Sequence, residues 1–215
     1  MKVALAQYAQ TEDGPSIVRA AAAAGADVVV FLSSWRMAHA RWYPRYLGGD
    51  MSYQAVSHRR VRDVVGADVT DSEADAVFDR YMGFYESNWA LFSDVRPCLG
   101  ALRGLRFGVI SNGPSKEQRR KLTQLGIAPS FEHIVISEEC GCAKPNPAIF
   151  ARACELANVA ANDAWYVGDH FEIDYGGATA AGLRAVWLNR HDDKPPASSK
   201  TVTSLVQLPN VIASG

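Results

Sequence analysis

Residues 107–113, which read Phe-Gly-Val-Ile-Ser-Asn-Gly, decide how this chain folds. The apolar half of the stretch has the length of a buried strand, and its polar end carries a hydroxyl, an amide and a glycine. In parallel α/β sheets, ligands bind at the carboxyl ends of the strands. The stretch therefore predicts a parallel sheet with an anion-binding polar site at one edge.

The same arrangement recurs along the rest of the chain. Short apolar runs alternate with helical patterns, which is typical of a doubly wound parallel sheet. We expect strands at 2–7, 105–110, 133–137, 164–167, 183–188 and, last, about 201–208, with helices near 116–125, 147–157 and 174–181. The predicted fold class is α/β, with a Rossmann-like parallel sheet as its core.

A helical segment interrupts this pattern. Residues 15–94 carry mainly helical periodicity, so we expect an α/β core made of residues 1–14 and 95–215 with an inserted all-helical domain between them. The clearest helix of the insert begins near Ser72, the expected cap, and presents Val77, Tyr81, Phe84 and Tyr85 on one face.

Composition excludes several classes of protein. The chain has 215 residues, 48% of them hydrophobic, and 22 basic against 23 acidic residues, which argues against disorder and against nucleic-acid binding. Two basic clusters, 58–62 and 119–121, are interpreted as solvated helix faces.

The longest apolar run, 20–32, is shorter than the roughly 18 residues that span a bilayer, and no secretory signal is expected before it. We expect a cytoplasmic protein, monomeric or homodimeric, without a membrane or nucleic-acid partner.

Two further strand ends carry charged residues. Lys144 lies in a proline-rich turn and offers a point charge for a phosphate-like group. Asp169 and Asp174 follow the strand predicted at 164–167, and carboxylate oxygens are the ligands that Mg²⁺ prefers. Together with Ser111 and Asn112, these residues predict a site for an anionic or phosphorylated small molecule.

Taken in order, these segments resemble three motifs of the haloacid dehalogenase (HAD) superfamily. They are 110–113, 144–147, and Gly168-Asp169 with Asp174, and the resemblance covers roughly 93–190 closely. The helical insert resembles the cap domain of the subgroup that contains phosphatases and dehalogenases. The resemblance implies that Ser111 and Lys144 hold a phosphate and that Asp169 and Asp174 carry Mg²⁺.

The first motif of that superfamily, an Asp-x-Asp at the end of the first strand, has no counterpart. With the first strand at 3–5, the two positions hold Ala6 and Tyr8; with the first strand at 28–31, they hold Leu32 and Ser34. We prefer the first register, in which 27–42 form a helix of the cap. Residues 2–31 also resemble the opening of carbon–nitrogen hydrolases, but Leu32 and Ser33 stand where that family has its catalytic glutamate.

In either register, the chain lacks the aspartate that serves this superfamily as nucleophile and as one ligand of the metal. Mg²⁺ binding is therefore expected to be weakened. Three functions stay open. The chain could perform altered chemistry, with Tyr8, His170 or Lys144 as acid–base groups. It could bind a ligand or partner without catalysis, as a pseudoenzyme. It could also retain hydrolysis through a substitute nucleophile, for which Ser111, Thr11 and Cys142 are the candidates.

Overall fold

The structure is a computed structural model that describes residues 3–6, 28–191, 193–194, 196 and 199–214. Its chain divides into two compact units. One consists of Met1–Ala9 and Leu91–Gly215, and the other of Gln10–Ala90. No helix in the described part of the chain is long and apolar enough to cross a membrane.

The helices and strands follow one another in the order that the sequence pattern predicts. They are β1 (Val3–Ala6), α1 (Val28–Leu47), α2 (Tyr53–Val65), α3 (Asp71–Ser87), α4 (Val95–Ala101), β2 (Arg106–Ser111), α5 (Ser115–Gln124), β3 (His133–Ile136), α6 (Ser137–Cys140), α7 (Pro147–Ala157), β4 (Ala164–Gly168), α8 (Gly177–Ala180), β5 (Arg184–Leu188), β6 (Thr201–Val202) and α9 (Leu208–Ala213). A π-helical turn, Phe171–Gly176, joins β4 to α8.

The first unit is built on a six-stranded sheet. Its strand order is β3-β2-β1-β4-β5-β6, and every neighbouring pair is parallel. This order belongs to the doubly wound Rossmann type, in which the chain reverses direction across the sheet beside the first strand. The predicted fold class is confirmed.

Side chains cover both faces of this sheet. Along β4, Tyr166 packs in a cluster with Ile110 and Phe150, whereas Trp165 and Val167 pack in a second cluster with Val186. These three β4 residues are fully buried. Successive side chains of a strand point to opposite faces, so burial of all three requires helices on both sides.

The register of the first strand is decided by the pairing of β1. Val3 pairs with Arg106 of β2 and with Ala164 of β4, which places β1 in the middle of the sheet. Residues 28–31, the alternative first strand, instead begin the helix α1. The preferred register is therefore correct, and Ala6 is the last residue of the central strand.

The second unit is helical in its described part, residues 28–90. The helices α1, α2 and α3 bury an aromatic core of Trp35, Val61, Ala74, Phe78 and Tyr81. Of the predicted helical face, Tyr81 is buried and Val77 and Tyr85 pack against this core, but the prediction missed Phe78, which is also buried. Thr70 rather than Ser72 caps α3, and it forms a reciprocal capping box with Glu73.

Two other expectations were wrong. The basic clusters are not solvated faces throughout, because His58, Arg60 and Lys121 are buried. The last strand stops at Val202, and Leu205–Gln207 and Leu208–Ala213 are helical. Ser204 accepts a hydrogen bond from Val206 N and begins this helical segment, a local preference that outweighs the apolar alternation of the sequence.

Candidate active site

Three neighbouring parallel strands end at the same edge of the sheet in the first unit. β1 ends at Ala6, β2 at Ser111 and β4 at Gly168. The register pairs Ala6 with Val167, so the chain reaches Asp169 immediately past the end of the central strand. We call Ser111, Asn112, Lys144, Asp169 and Asp174 the strand-end site.

Asn112 joins two of the loops that form this site. Its amide nitrogen donates to the carbonyl of Lys144 at 2.9 Å, and its amide oxygen accepts from the Lys144 N–H at 2.8 Å. Both ends of the amide are therefore occupied by one residue of the neighbouring loop. Asn112 positions Lys144, and its amide keeps one N–H that is not used in these two hydrogen bonds.

Lys144 is held in a buried cluster with Asp174 and Tyr166, which we call the charge cluster. Lys144 Nζ lies 2.7 Å from Asp174 Oδ1 and 3.0 Å from the Tyr166 hydroxyl, and that hydroxyl donates to the same Oδ1 at 2.8 Å. Lys144 is 3% exposed, Asp174 1% and Tyr166 0%. The two charges balance each other, so the site gains a cation without an uncompensated buried charge.

Tyr166 is a residue that the sequence analysis missed. Burial and the adjacent Asp174 carboxylate raise the pKa of its phenol, which therefore keeps its proton and acts as a hydrogen-bond donor. The available signal was a tyrosine within an otherwise apolar strand, since a buried tyrosine usually needs a polar partner.

Ser111 is buried at the end of β2, and its hydroxyl donates to Gln118 Oε1 at 2.9 Å. Gln118 lies on α5 and was not singled out in the sequence. A hydroxyl has a single hydrogen, so Ser111 must rotate to donate to an anion. The next loop is fixed by Gly113 N, which donates to the Ser137 hydroxyl at 2.9 Å.

Gly168 shows why a glycine precedes the acidic turn. A Cβ at this position would lie 2.4 Å from Cβ and Cγ of Asp174, closer than any side chain tolerates. The absence of a side chain lets Asp174 fold back against the end of β4, where its Oδ2 accepts from His170 N at 3.0 Å.

Asp169 is more accessible than Asp174. Burial, followed by the negative charge of Asp174, raises its pKa. A divalent cation would offset both effects, and the oxygen donors suit Mg²⁺. Asp174 has its Oδ1 occupied by the charge cluster, so Asp169 is the better placed ligand. Among the described residues, no group of three or more His, Cys, Asp or Glu side chains could hold a metal.

His170 begins the π-helical turn directly after Asp169. Its Nδ1 accepts from Ile173 N at 3.3 Å and lies 3.4 Å from Glu172 Oε2. The side chain is 55% exposed, so Nε2 can reach solvent or a ligand. His170 has the exposure that an acid–base group needs, whereas Lys144 is buried beside Asp174 and Tyr166.

Tyr8, Thr11 and Cys142 are the remaining candidates for a catalytic role. Tyr8 and Thr11 lie outside the described residues. Cys142 lies beside Cys140, with their sulfurs 3.1 Å apart. Burial, and then the hydrogen bond and charge of Cys140, raise the pKa of the Cys142 thiol to about 11, which leaves almost no thiolate at neutral pH.

The fold and the strand-end site define an α/β protein with an anion site and a carboxylate turn at the switch point of a Rossmann-type sheet. Comparison with known families agrees with this class. The model of the haloacid dehalogenase-like hydrolases matches residues 6–182. The chain belongs to this family.

Two relatives of known activity are phosphatases, and the chain matches part of the length of each. The chain is 35% identical to the glyceraldehyde 3-phosphate phosphatase of Methanopyrus kandleri over 139 residues, which is 61% of this chain and 60% of the relative. It is 41% identical to a pyrimidine 5'-nucleotidase of Escherichia coli over 119 residues, 53% of each protein. The chain thus spans between about half and three fifths of these relatives.

A solved structure matches the whole chain. The 2-haloacid dehalogenase of Pseudomonas syringae pv. Tomato superposes with a TM-score of 0.68 and 27% identity, covering 100% of this chain and 99% of the other. Phosphatases and a dehalogenase are therefore both among the proteins that this chain resembles.

Proposed function

We propose that this chain binds a small phosphorylated molecule in the strand-end site and does not transfer the phosphoryl group to an aspartate. The observation that carries the proposal is the position of Ala6. This residue ends the central strand, between the strands that lead to Ser111 and Asp169. An alanine there cannot form the covalent intermediate by which the family divides its reaction into two steps.

The proposed anion site uses three groups in different ways. Lys144 supplies the positive charge, Ser111 supplies a hydroxyl after rotation away from Gln118, and Asn112 fixes the loop that carries Lys144. The charge cluster holds Lys144 in one place before a ligand arrives. Such preorganisation reduces the ordering cost of binding.

The proposed ligand class follows from chemistry and from the relatives. The relatives named above act on glyceraldehyde 3-phosphate and on pyrimidine nucleotides, which are both phosphate monoesters. Mg²⁺ would be held by Asp169 with Asp174 nearby, and bound there it would offset the negative charge of a phosphate. Without a carboxylate at position 6, we expect this Mg²⁺ to be held more weakly than in the family.

The test is to restore the missing carboxylate. The wild type, Ala6→Asp and Ala6→Asp/Tyr8→Asp are incubated with p-nitrophenyl phosphate, with and without Mg²⁺. We expect no turnover by the wild type above an Asp169→Asn control, and Mg²⁺-dependent turnover by the double variant. Nucleophile removal typically costs on the order of 10⁴-fold or more in rate, so even partial recovery is measurable.

Binding is measured separately, by calorimetric titration of inorganic phosphate into the wild type and Ser111→Ala. Weaker binding to the variant is expected, and the same affinity for both would contradict the proposed anion site. Mg²⁺-dependent turnover by the wild type would contradict the proposed lack of aspartyl chemistry and redirect attention to a substitute nucleophile. A product seen by ³¹P NMR that disappears in His170→Gln would instead support altered chemistry, with the exposed His170 as acid or base.

A further inference from the structure

The helical unit holds a buried arginine that the strand-end site does not use. Arg60 lies on α2 and is 4% exposed, although Arg59 beside it is exposed. A guanidinium stays protonated at any pH at which proteins fold. A charge removed from water in this way is normally paired with an opposite charge.

Aromatic rings provide one part of the environment of Arg60. Its Cζ lies 4.5 Å from the ring centroid of Trp35 and 5.6 Å from those of Phe78 and Tyr81. Ring faces attract a cation electrostatically. They do not replace the strong acceptors that five N–H groups require, so these contacts leave the hydrogen-bonding capacity of the guanidinium unused.

Three carboxylates in the described part of the helical unit face partners other than Arg60. Asp71 pairs with His58 and Arg62, and Asp75 pairs with His58. Asp63 lies opposite Arg41. Within residues 28–90 the structure describes no carboxylate paired with Arg60, and Arg60 Nε is buried with no hydrogen-bond partner.

His39 on α1 provides a second buried polar group beside this cation. Its Nδ1 is buried without a hydrogen-bond partner in the described structure, and its ring stacks on Tyr43 at 4.5 Å. Burial, and then the charge of Arg60, lower its pKa to about 4. His39 is therefore neutral at pH 7 and contributes a ring nitrogen but no charge.

We propose that Arg60 and His39 form a binding site for the carboxylate group of a small organic acid. A carboxylate is planar and has two oxygens that match the guanidinium fork. One cation beside a neutral histidine balances a single negative charge, whereas a phosphate dianion would leave one negative charge buried and uncompensated. The aromatic residues around Arg60 strengthen the ion pair by keeping bulk water away.

The site is tested on the full chain by NMR of the arginine side chains. Acetate is added to ¹⁵N-labelled protein, and the Nε–Hε signal of Arg60 is followed after sequential assignment. We expect a saturable downfield shift as the buried Nε–H gains an acceptor. The pKa of His39 is expected to rise from about 4 on saturation, because the bound anion offsets the charge of Arg60.

Matched variants separate this site from others. Arg60→Lys keeps the charge without the fork and is expected to weaken acetate binding about tenfold, whereas Arg59→Lys leaves it unchanged. Ser111→Ala changes the strand-end site alone, so the Arg60 titration is expected to survive even if the proposed phosphate site is wrong.

Three results would overturn the inference. They are an Arg60 signal that does not move with acetate, an equal shift with chloride, and a stronger response to inorganic phosphate than to acetate. The titration of the wild type decides all three, so the conclusion does not depend on whether Arg60→Lys folds.

Discussion

At the scale of single residues, the strand-end site depends on one phenol. Tyr166 donates to Asp174 and accepts from Lys144, and it is packed edge-on against Phe150 with ring centroids 5.1 Å apart. The ring fills space, and the hydroxyl completes the hydrogen bonds of a buried ion pair. These two contributions can be separated because phenylalanine keeps the ring.

We predict that Tyr166→Phe lowers the free energy of unfolding by about 1–3 kcal/mol, since it leaves two buried charged groups each short of one partner. Urea denaturation followed by circular dichroism measures the change. The control is Tyr175→Phe, whose ring stacks on Phe171 and whose hydroxyl makes no hydrogen bond to the described residues. A loss in the control as large as that in Tyr166→Phe would show that the hydroxyl of Tyr166 contributes nothing specific.

At the scale of elements, the cap of α3 lies two residues before the expected one, at Thr70 instead of Ser72. The Thr70 hydroxyl accepts from Glu73 N at 3.3 Å, and the Glu73 carboxylate accepts from Thr70 N at 2.9 Å. The sequence contains both Thr70 and Ser72 as possible caps, and local preference does not distinguish them. The capping box does, because only Thr70 has a glutamate three residues later.

Thr70→Ala is predicted to destabilise the protein by about 1 kcal/mol, which is the usual cost of losing a helix cap. Ser72→Ala, within the same helical turn, is predicted to be neutral or slightly stabilising, because alanine is the better helix former. Thermal unfolding of the two variants side by side gives the comparison. Equal losses would mean that the cap does not stabilise α3.

At the scale of the whole molecule, Asp94 connects parts of the first unit that are far apart in sequence. Arg190 donates to both of its oxygens at 2.9 Å, and Ser204 and Leu205 N add hydrogen bonds at 2.7 and 2.9 Å. Burial alone would raise the pKa of Asp94, but these four hydrogen bonds and the charge of Arg190 lower it to about 2.

The lowered pKa gives stability a defined pH dependence. The folded-state pKa lies below the unfolded value of 3.8, so the contribution of Asp94 is complete above about pH 4 and is lost as pH falls towards 2. We predict that Asp94→Asn costs on the order of 2 kcal/mol at pH 7 and that its difference from the wild type shrinks across this window. Denaturant unfolding at a series of pH values measures it. Asp163→Asn, an exposed carboxylate, is the control. A difference that does not vary with pH would contradict the role of the Asp94 charge.

How much was predictable depends on the range of the interactions involved. The strands and the residues that follow them were predicted closely. Both the length of an apolar run and the polar residue that comes directly after it can be read from consecutive positions in the sequence. The last strand failed because the apolar residues after Val202 form short helical turns, and an apolar run of that length does not distinguish a strand from a helix.

The sequence by itself determined the α/β class, the order of the strands' polar ends, the membership of the family and the alanine at position 6. Three features were decided only by the tertiary structure. Tyr166 forms hydrogen bonds with Lys144 and Asp174, Arg60 is buried rather than solvated, and Asp94 forms an ion pair with Arg190. The physical reason is that burial and charge pairing depend on which distant segments come together. The residues adjacent to a side chain in sequence do not determine which distant segments it will meet.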